Sequence, residues 1–296
     1  MKKARRFVTG LLFGAGLALS FAPGLGNLRN QQHQEQILST YKNAEASMEA
    51  GEAETERKQA ELYNEWLYGL RNGTGIARAG QAENLQEYES LLNMTGTGMM
   101  GSLEIPRIDV DLPIYHGTSQ EVLAAGVGHL EGSSLPVGGT GTRCVLTGHR
   151  GLPGSRLFTR LDELREGDLL FLRILGEVLA YRVSEIAVIE PEDVERLRLE
   201  EGQDLLSLVT CTPYGINTER LVVTGTRVPY SQALYEGEEP GIPSIRELLF
   251  AALPFLFSGA AAGIWIKKHR AGGKGKEVQK RTCIKGKERN IEKAGG

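Results

Sequence analysis

The chain has 296 residues, enough for one or two domains and a full apolar core. Hydrophobic residues are 41% and charged residues 24%, which excludes general disorder. The net charge of −3 conceals a segregation: residues 1–6 carry +4, residues 267–296 carry +8, and the middle carries −15. That acidic middle excludes a nucleic-acid-binding main domain, and three cysteines without metal-ligand spacing exclude a disulfide scaffold and a zinc site.

Each basic end adjoins a 19-residue uncharged apolar run, Phe7–Leu25 and Leu248–Ile266. As helix, such a run spans roughly 28 Å, close to the hydrocarbon thickness of a bilayer. Lys and Arg collect on the cytoplasmic side. The pattern predicts flanking transmembrane helices, cytoplasmic termini and residues 26–247 outside the plasma membrane. Residues 1–25 read as a basic n-region with a signal anchor. Ala18-Leu19-Ser20 also fits a cleavable signal peptide, which would remove one anchor and keep the topology.

Residues 31–71 read as helix, rich in Gln, Glu and Ala and free of proline. Ile37, Leu38 and Tyr41 recur at helical spacing, as do Leu62, Trp66 and Leu70, and Gly51 divides the stretch. A polar stalk and a helical pair packed on the following domain are both compatible with it. Residues 72–101 hold six glycines and read as a connector.

From Ser102 the pattern changes to short β-type runs with Gly/Pro punctuation. Strands are predicted at Leu103–Ile105, Arg107–Ile114, Arg143–Thr147, Leu169–Leu175, Val178–Ile189, Leu205–Cys211 and Leu221–Val228. Ile174-Leu175-Gly176-Glu177-Val178 suggests a hairpin, and Glu121–Ala125 and Phe158–Leu164 suggest short helices. Many strands with few helices imply a mainly β, closed or nearly closed barrel over residues 102–229. Residues 230–247 read as a linker, 248–266 as the second apolar helix and 267–296 as a disordered basic tail. Gly138-Gly139-Thr140-Gly141 lacks the Lys-Ser/Thr pair of a phosphate loop.

Three residues in the barrel region suit acyl transfer. Cys211 ends a strand-like run and opens onto the turn sequence Thr212-Pro213-Tyr214-Gly215, a good position for a nucleophile. His149 follows another strand between Gly148 and Arg150-Gly151, placed to move protons. Arg220 stands nine residues after Cys211 at the start of the next strand, where a hairpin would bring the two side by side. Its fixed cation suits a developing oxyanion. Cys144 reads as core.

Residues Leu103–Val228 resemble the catalytic domain of sortases, the surface transpeptidases of Gram-positive bacteria. Leu208-Val209-Thr210-Cys211 is similar to the family's nucleophile signature, and Thr147-Gly148-His149-Arg150 to its histidine motif. Arg220 falls at its essential arginine. Ile105-Pro106, Leu112–Gly117, Gly128–Pro136, Leu157-Phe158 and Cys211–Thr218 match as well. The resemblance implies an eight-stranded barrel with Cys211, His149 and Arg220 catalytic, and no cofactor or metal. It implies attack on the Thr–Gly bond of a Leu-Pro-x-Thr-Gly-like sorting signal on a pilin or surface protein. The resulting thioacyl-enzyme would be resolved by an amine, a pilin Lys or a peptidoglycan cross-bridge. His116 and His129 match family positions outside the catalytic motif and read as structural.

The detail is closest to class C, the pilin-polymerising sortases, which have an N-terminal helical extension and often a C-terminal membrane segment. Those enzymes hold a lid over the site with an Asp-Pro-aromatic motif. This sequence contains no Asp-Pro pair, so residues 84–101 occupy the lid region without that anchor. Met94, Met99 and Met100 are candidates for an apolar cover over Cys211, or for packing against the barrel wall.

Overall fold

The computed structural model describes residues 2–49, 51–71, 85–152, 155–238, 245, 248–249 and 252–264. It divides into two units, Pro23–Ile242 and a second unit formed by Met1–Ala22 with Pro243–Gly296. Helix α1 spans Lys2–Ala46, α2 Glu52–Arg71 and α3 Leu85–Ser90. Strands β1 (Met99–Ile105) and β2 (Val110–His116) follow, then α4 (Gln120–Ala125), β3 (Val127–His129) and β4 (Thr142–Thr147). The chain continues through β5 (Leu169–Ile174), β6 (Glu177–Ile189), β7 (Asp204–Thr212), β8 (Glu219–Val228) and α5 (Gln232–Glu236).

The eight strands close into a barrel in the order β1-β2-β3-β4-β7-β8-β6-β5. Closure leaves no open sheet edge. Alternation fills the interior: Leu206 and Leu208 of β7, Cys144 and Leu146 of β4, and Leu221 and Val223 of β8 join one core cluster. The β5–β6 hairpin turns on Leu175-Gly176, both at positive φ (49° and 80°), as a two-residue turn of the favoured handedness requires. Leucine resists that conformation. The turn is braced from α1, where the Tyr41 hydroxyl accepts from Leu175 N at 3.4 Å and the Glu45 carboxylate from Gly176 N.

The helical extension packs on the barrel. The Tyr41 hydroxyl donates to Met100 O (2.9 Å), and Leu38 and Tyr41 bury against Met99. From α2, Ala60, Tyr63 and Leu67 join the main core. Burying a large apolar side chain contributes about 1.5–3 kcal/mol. Asn64, on the same face, bonds Leu135 twice, donating to its carbonyl (3.2 Å) and accepting from its amide (2.7 Å). The face differs from the Leu62–Trp66–Leu70 stripe expected from hydropathy: Leu62 and Trp66 are exposed. The buried face, Ala60, Tyr63, Asn64 and Leu67, lies about a third of a turn from that stripe. In the stretch read as a linker, α5 lies on the outer wall, with Tyr230 and Tyr235 edge-on to Phe171.

Several local expectations change. Pro106–Ile108 forms a 3-10 turn and Asp109 sits at positive φ, so β2 begins at Val110 rather than Arg107. Phe158–Leu164 contains only a 3-10 turn, Leu161–Glu163. Strand β3 has three residues, two of them Gly and His, and shows no alternation to detect.

Among the described residues, no helix is long and apolar enough to cross a membrane. The expected first span lies within α1, which continues into the polar stretch to Ala46. The second is helical over 252–264, and residues 250–251 and 265–266 of that run lie outside the described residues, as does the basic tail.

Candidate active site

Three neighbouring strands of the barrel position the three residues singled out in the sequence: Cys211 lies on β7, Arg220 on β8, and His149 two residues past the end of β4. Strands β7 and β8 run antiparallel, and Cys211 pairs directly with Arg220. Strands β4 and β7 run parallel with Thr147 opposite Val209; continuing that register sets His149 level with Cys211. All three thus stand at one end of adjacent strands.

Alternation also sets their face. Since Leu206 and Leu208 point inward, Val209 and Cys211 of β7 point outward, as do Val222 and Arg220 of β8. Val145, Val222, Ile189 and Leu197 form a separate apolar cluster on this outer face, with Val209, Ala187 and Leu130 packed against it. The cluster itself is buried, and half-buried Val209 is its member nearest the thiol along β7. Cys211 and His149 are both half-buried.

Local bonds hold each group. Gly148 N donates to Val209 O (3.1 Å), and the Thr210 hydroxyl donates to Gly148 O (2.8 Å). A Cβ on Gly148 would lie 2.8 Å from the Phe158 ring, so only glycine admits this approach. Phe158 N in turn donates to His149 O at 3.1 Å. Arg220 Nη1 donates to the carbonyls of Asn217 (3.3 Å) and Glu219 (3.0 Å), which fixes its guanidinium beside the β7–β8 loop.

Two buried arginines of this wall were not singled out in the sequence, Arg143 at the far end of β4, level with Leu205, and Arg150 beside His149. Arg143, almost fully buried, donates to Ser207 (3.0 Å) and pairs with Glu200 (2.5 Å), tying the loop after Leu197 to β4. Burial pulls its pKa below the ordinary arginine value, against the nearby Glu200 and Glu185 carboxylates. Arg150, also buried, donates to the Thr212 hydroxyl (3.1 Å), pairs with Asp162 (2.5 Å) and lies over the Tyr214 ring. A cation immediately after the histidine was the one visible signal.

His116 and His129 lie apart from these residues and serve the α3 side. His129, fully buried, accepts from the Tyr88 hydroxyl at Nδ1 (2.9 Å) and donates from Nε2 to Ser134 O (2.9 Å). Burial pushes its pKa down to about 4. His116 faces the carbonyls of Gly98 and Leu91 at 2.9 and 2.8 Å, and burial holds it below the ordinary histidine value.

The methionine cover is not formed. Met99 and Met100 are fully buried residues of β1, and Met100 belongs to the main core. In the closed order β1 is four strands from β7, on the opposite side of the barrel. Met94 packs against the core from the segment after α3, with Tyr88, Leu91 and Leu92 buried beside it. Residue 84 and the connector before it lie outside the described residues. Two cavities, of about 540 and 520 Å³, lie between α1 and β2, and neither is lined by Cys211, His149 or Arg220.

A closed barrel presenting a thiol, an imidazole and a guanidinium on adjacent strand ends is the framework of a cysteine transpeptidase. The Sortase domain family model matches residues 103–228. Sortase D of Bacillus subtilis is 34% identical over 131 residues, covering 43% of this chain and 63% of that protein, so the chain spans less than two thirds of it. Sortase C1 of Streptococcus agalactiae superposes with a TM-score of 0.63 at 41% identity, covering 66% of this chain and 100% of that one. Sortase C of Streptococcus pneumoniae gives 0.58 at 37%, covering 66% and 97%. The chain belongs to the sortase family and is most like its class C members.

Proposed function

We propose that this chain is a cysteine transpeptidase that cleaves a Leu-Pro-x-Thr-Gly-like sorting signal between Thr and Gly and joins the Thr to an amine. The direct pairing of Cys211 with Arg220, with His149 two residues past the end of neighbouring β4, carries this reading. The Cys211 thiolate attacks the Thr carbonyl carbon. Negative charge develops on its oxygen, where Arg220 stabilises it. The C–N bond breaks, and the Gly nitrogen leaves with a proton from His149. The thioester then meets an incoming amine: a new C–N bond forms, the thiolate departs, and His149 takes the amine's proton. Half-buried Val209, two residues before Cys211 on the outer face of β7, offers apolar contact for the Leu-Pro end of the signal.

A pilin Lys is the acceptor we favour. Support comes from the packed helical extension, the likeness to sortase C1, and the similarity to the S. pneumoniae enzyme, whose structure is described in terms of pilin substrate specificity. Attachment of surface proteins to a peptidoglycan cross-bridge is the second reading, favoured by the relatives named Sortase A. We further propose a plasma-membrane anchor with the barrel outside the cell. Phe255, Leu256, Phe257 and Ile264 are all at least 64% exposed in the helical stretch 252–264, an apolar surface that lipid would cover.

Incubating the enzyme with a sorting-signal peptide and a Lys-bearing pilin tests the reaction. A Thr-to-Lys isopeptide is the expected product; only a free Thr carboxylate would refute transfer to pilin. Protease added to intact protoplasts tests the anchor, and protection of residues 26–247 would refute it.

A further inference from the structure

Residues on either side of the thiol hold residues on either side of the imidazole. Thr210, before Cys211, bonds Gly148, before His149. Thr212, after Cys211, bonds Arg150, after His149. Period-2 alternation puts these bonds on the face opposite to the outward-pointing Cys211, so they leave the reacting face clear.

The Arg150 half of this clasp is unusual as a stabilising device. Its guanidinium is buried and its Nε finds no partner among the described residues. Its Nη2 meets Asp162 at 2.5 Å, with side-chain exposures of 4% and 24%. Buried ion pairs with an unmet N–H commonly stabilise less than apolar residues of the same volume. What the fork provides is geometry: one arm fixed on the 3-10 turn Leu161–Glu163, the other on the end of β7.

Resting on the reading of Cys211 as nucleophile and His149 as proton carrier, we propose that Arg150 is a positioning residue that locks the His149 loop level with Cys211 through Thr212 and Asp162. The imidazole must reach the leaving nitrogen in the transition state. A shift of about 1 Å at that point can cost on the order of 100-fold. The clasp ties the His149 loop to the end of β7 and to the 3-10 turn, so its loss displaces the proton carrier and falls on kcat.

The test uses the full chain with a fluorogenic sorting-signal peptide. Arg150→Met should lower kcat about 10–100-fold with KM within about twofold. The double variant Arg150→Met/Asp162→Leu removes both charges, should keep or raise Tm, and should show the same fall in kcat. Thr212→Val keeps the branched shape without the hydroxyl and should lower kcat, whereas Thr212→Ser should restore most of it. A folded double variant with wild-type kcat overturns the proposal, and so do Thr212→Val and Thr212→Ser behaving alike. Should Arg150→Met fail to fold, the Thr212 pair still decides. Cys211→Ala and His149→Asn run alongside: if either keeps thioacyl formation, the underlying reading fails; if both are dead while the Arg150 and Thr212 variants are normal, only this inference fails.

Discussion

His129 gives the extension–barrel contact a measurable acid sensitivity. Folded, it titrates near pH 4 because it is fully buried; unfolded, it takes its proton near the ordinary 6.5. Between these values the unfolded chain binds more protons, so stability falls as pH drops from about 6.5 to 4. The gap corresponds to a loss of about 3 kcal/mol once both values are passed. Protonation would also put an N–H where the Tyr88 hydroxyl now donates, breaking the bond from α3. Urea unfolding at pH 7, 5.5 and 4 measures this for wild type and His129→Gln. Glutamine can reach Ser134 O but does not titrate. At pH 7 the variant should be about 1–2 kcal/mol less stable, having lost the Tyr88 acceptor. By pH 4 that difference should vanish or reverse. His116, held low by the same cause, is present in both proteins and cancels. Parallel curves for the two proteins would refute the assignment of acid lability to His129.

Other outcomes follow from named contacts. Arg220→Lys keeps a charge but loses the planar fork, and should lower turnover by roughly 100–1,000-fold in the peptide assay. Asn64→Ala leaves both backbone groups of buried Leu135 without their partner, and should cost about 2 kcal/mol in denaturant unfolding while leaving KM unchanged. Arg143→Met removes the ion pair with Glu200 that ties the loop after Leu197 to β4, and should speed limited proteolysis within residues 198–203. Tyr88→Phe removes the hydroxyl shared by His129 and Gly117 N, and should lower stability by about 1–3 kcal/mol in the same unfolding assay.

The barrel was readable because its signals are local. Short β-type runs between glycines and prolines marked β4, β7 and β8, and Leu175-Gly176 marked the hairpin. The nine-residue gap between Cys211 and Arg220 fits a hairpin, which is why their pairing was legible before any coordinates. Features decided by tertiary contact were not. Asn64 joins the buried face of α2 only because Leu135 offers it both bonds, and no hydropathy pattern contains that information. Met99 and Met100 follow Gly96 and Gly98 and look like connector, yet β1 begins at Met99, which pairs with Tyr115 of β2. Arg150 entered only as part of the histidine motif; its bond to Thr212, 62 residues away, is set by the tertiary fold.

The central claim is that Cys211 forms a thioester with the Thr of a sorting signal. Intact-mass spectrometry of the chain, quenched in acid shortly after mixing with a Leu-Pro-x-Thr-Gly peptide, measures it. The account predicts an adduct equal to the peptide through Thr, located on Cys211, released by hydroxylamine and absent from Cys211→Ala. An unmodified Cys211 during active cleavage, or an adduct that survives Cys211→Ala, would contradict it.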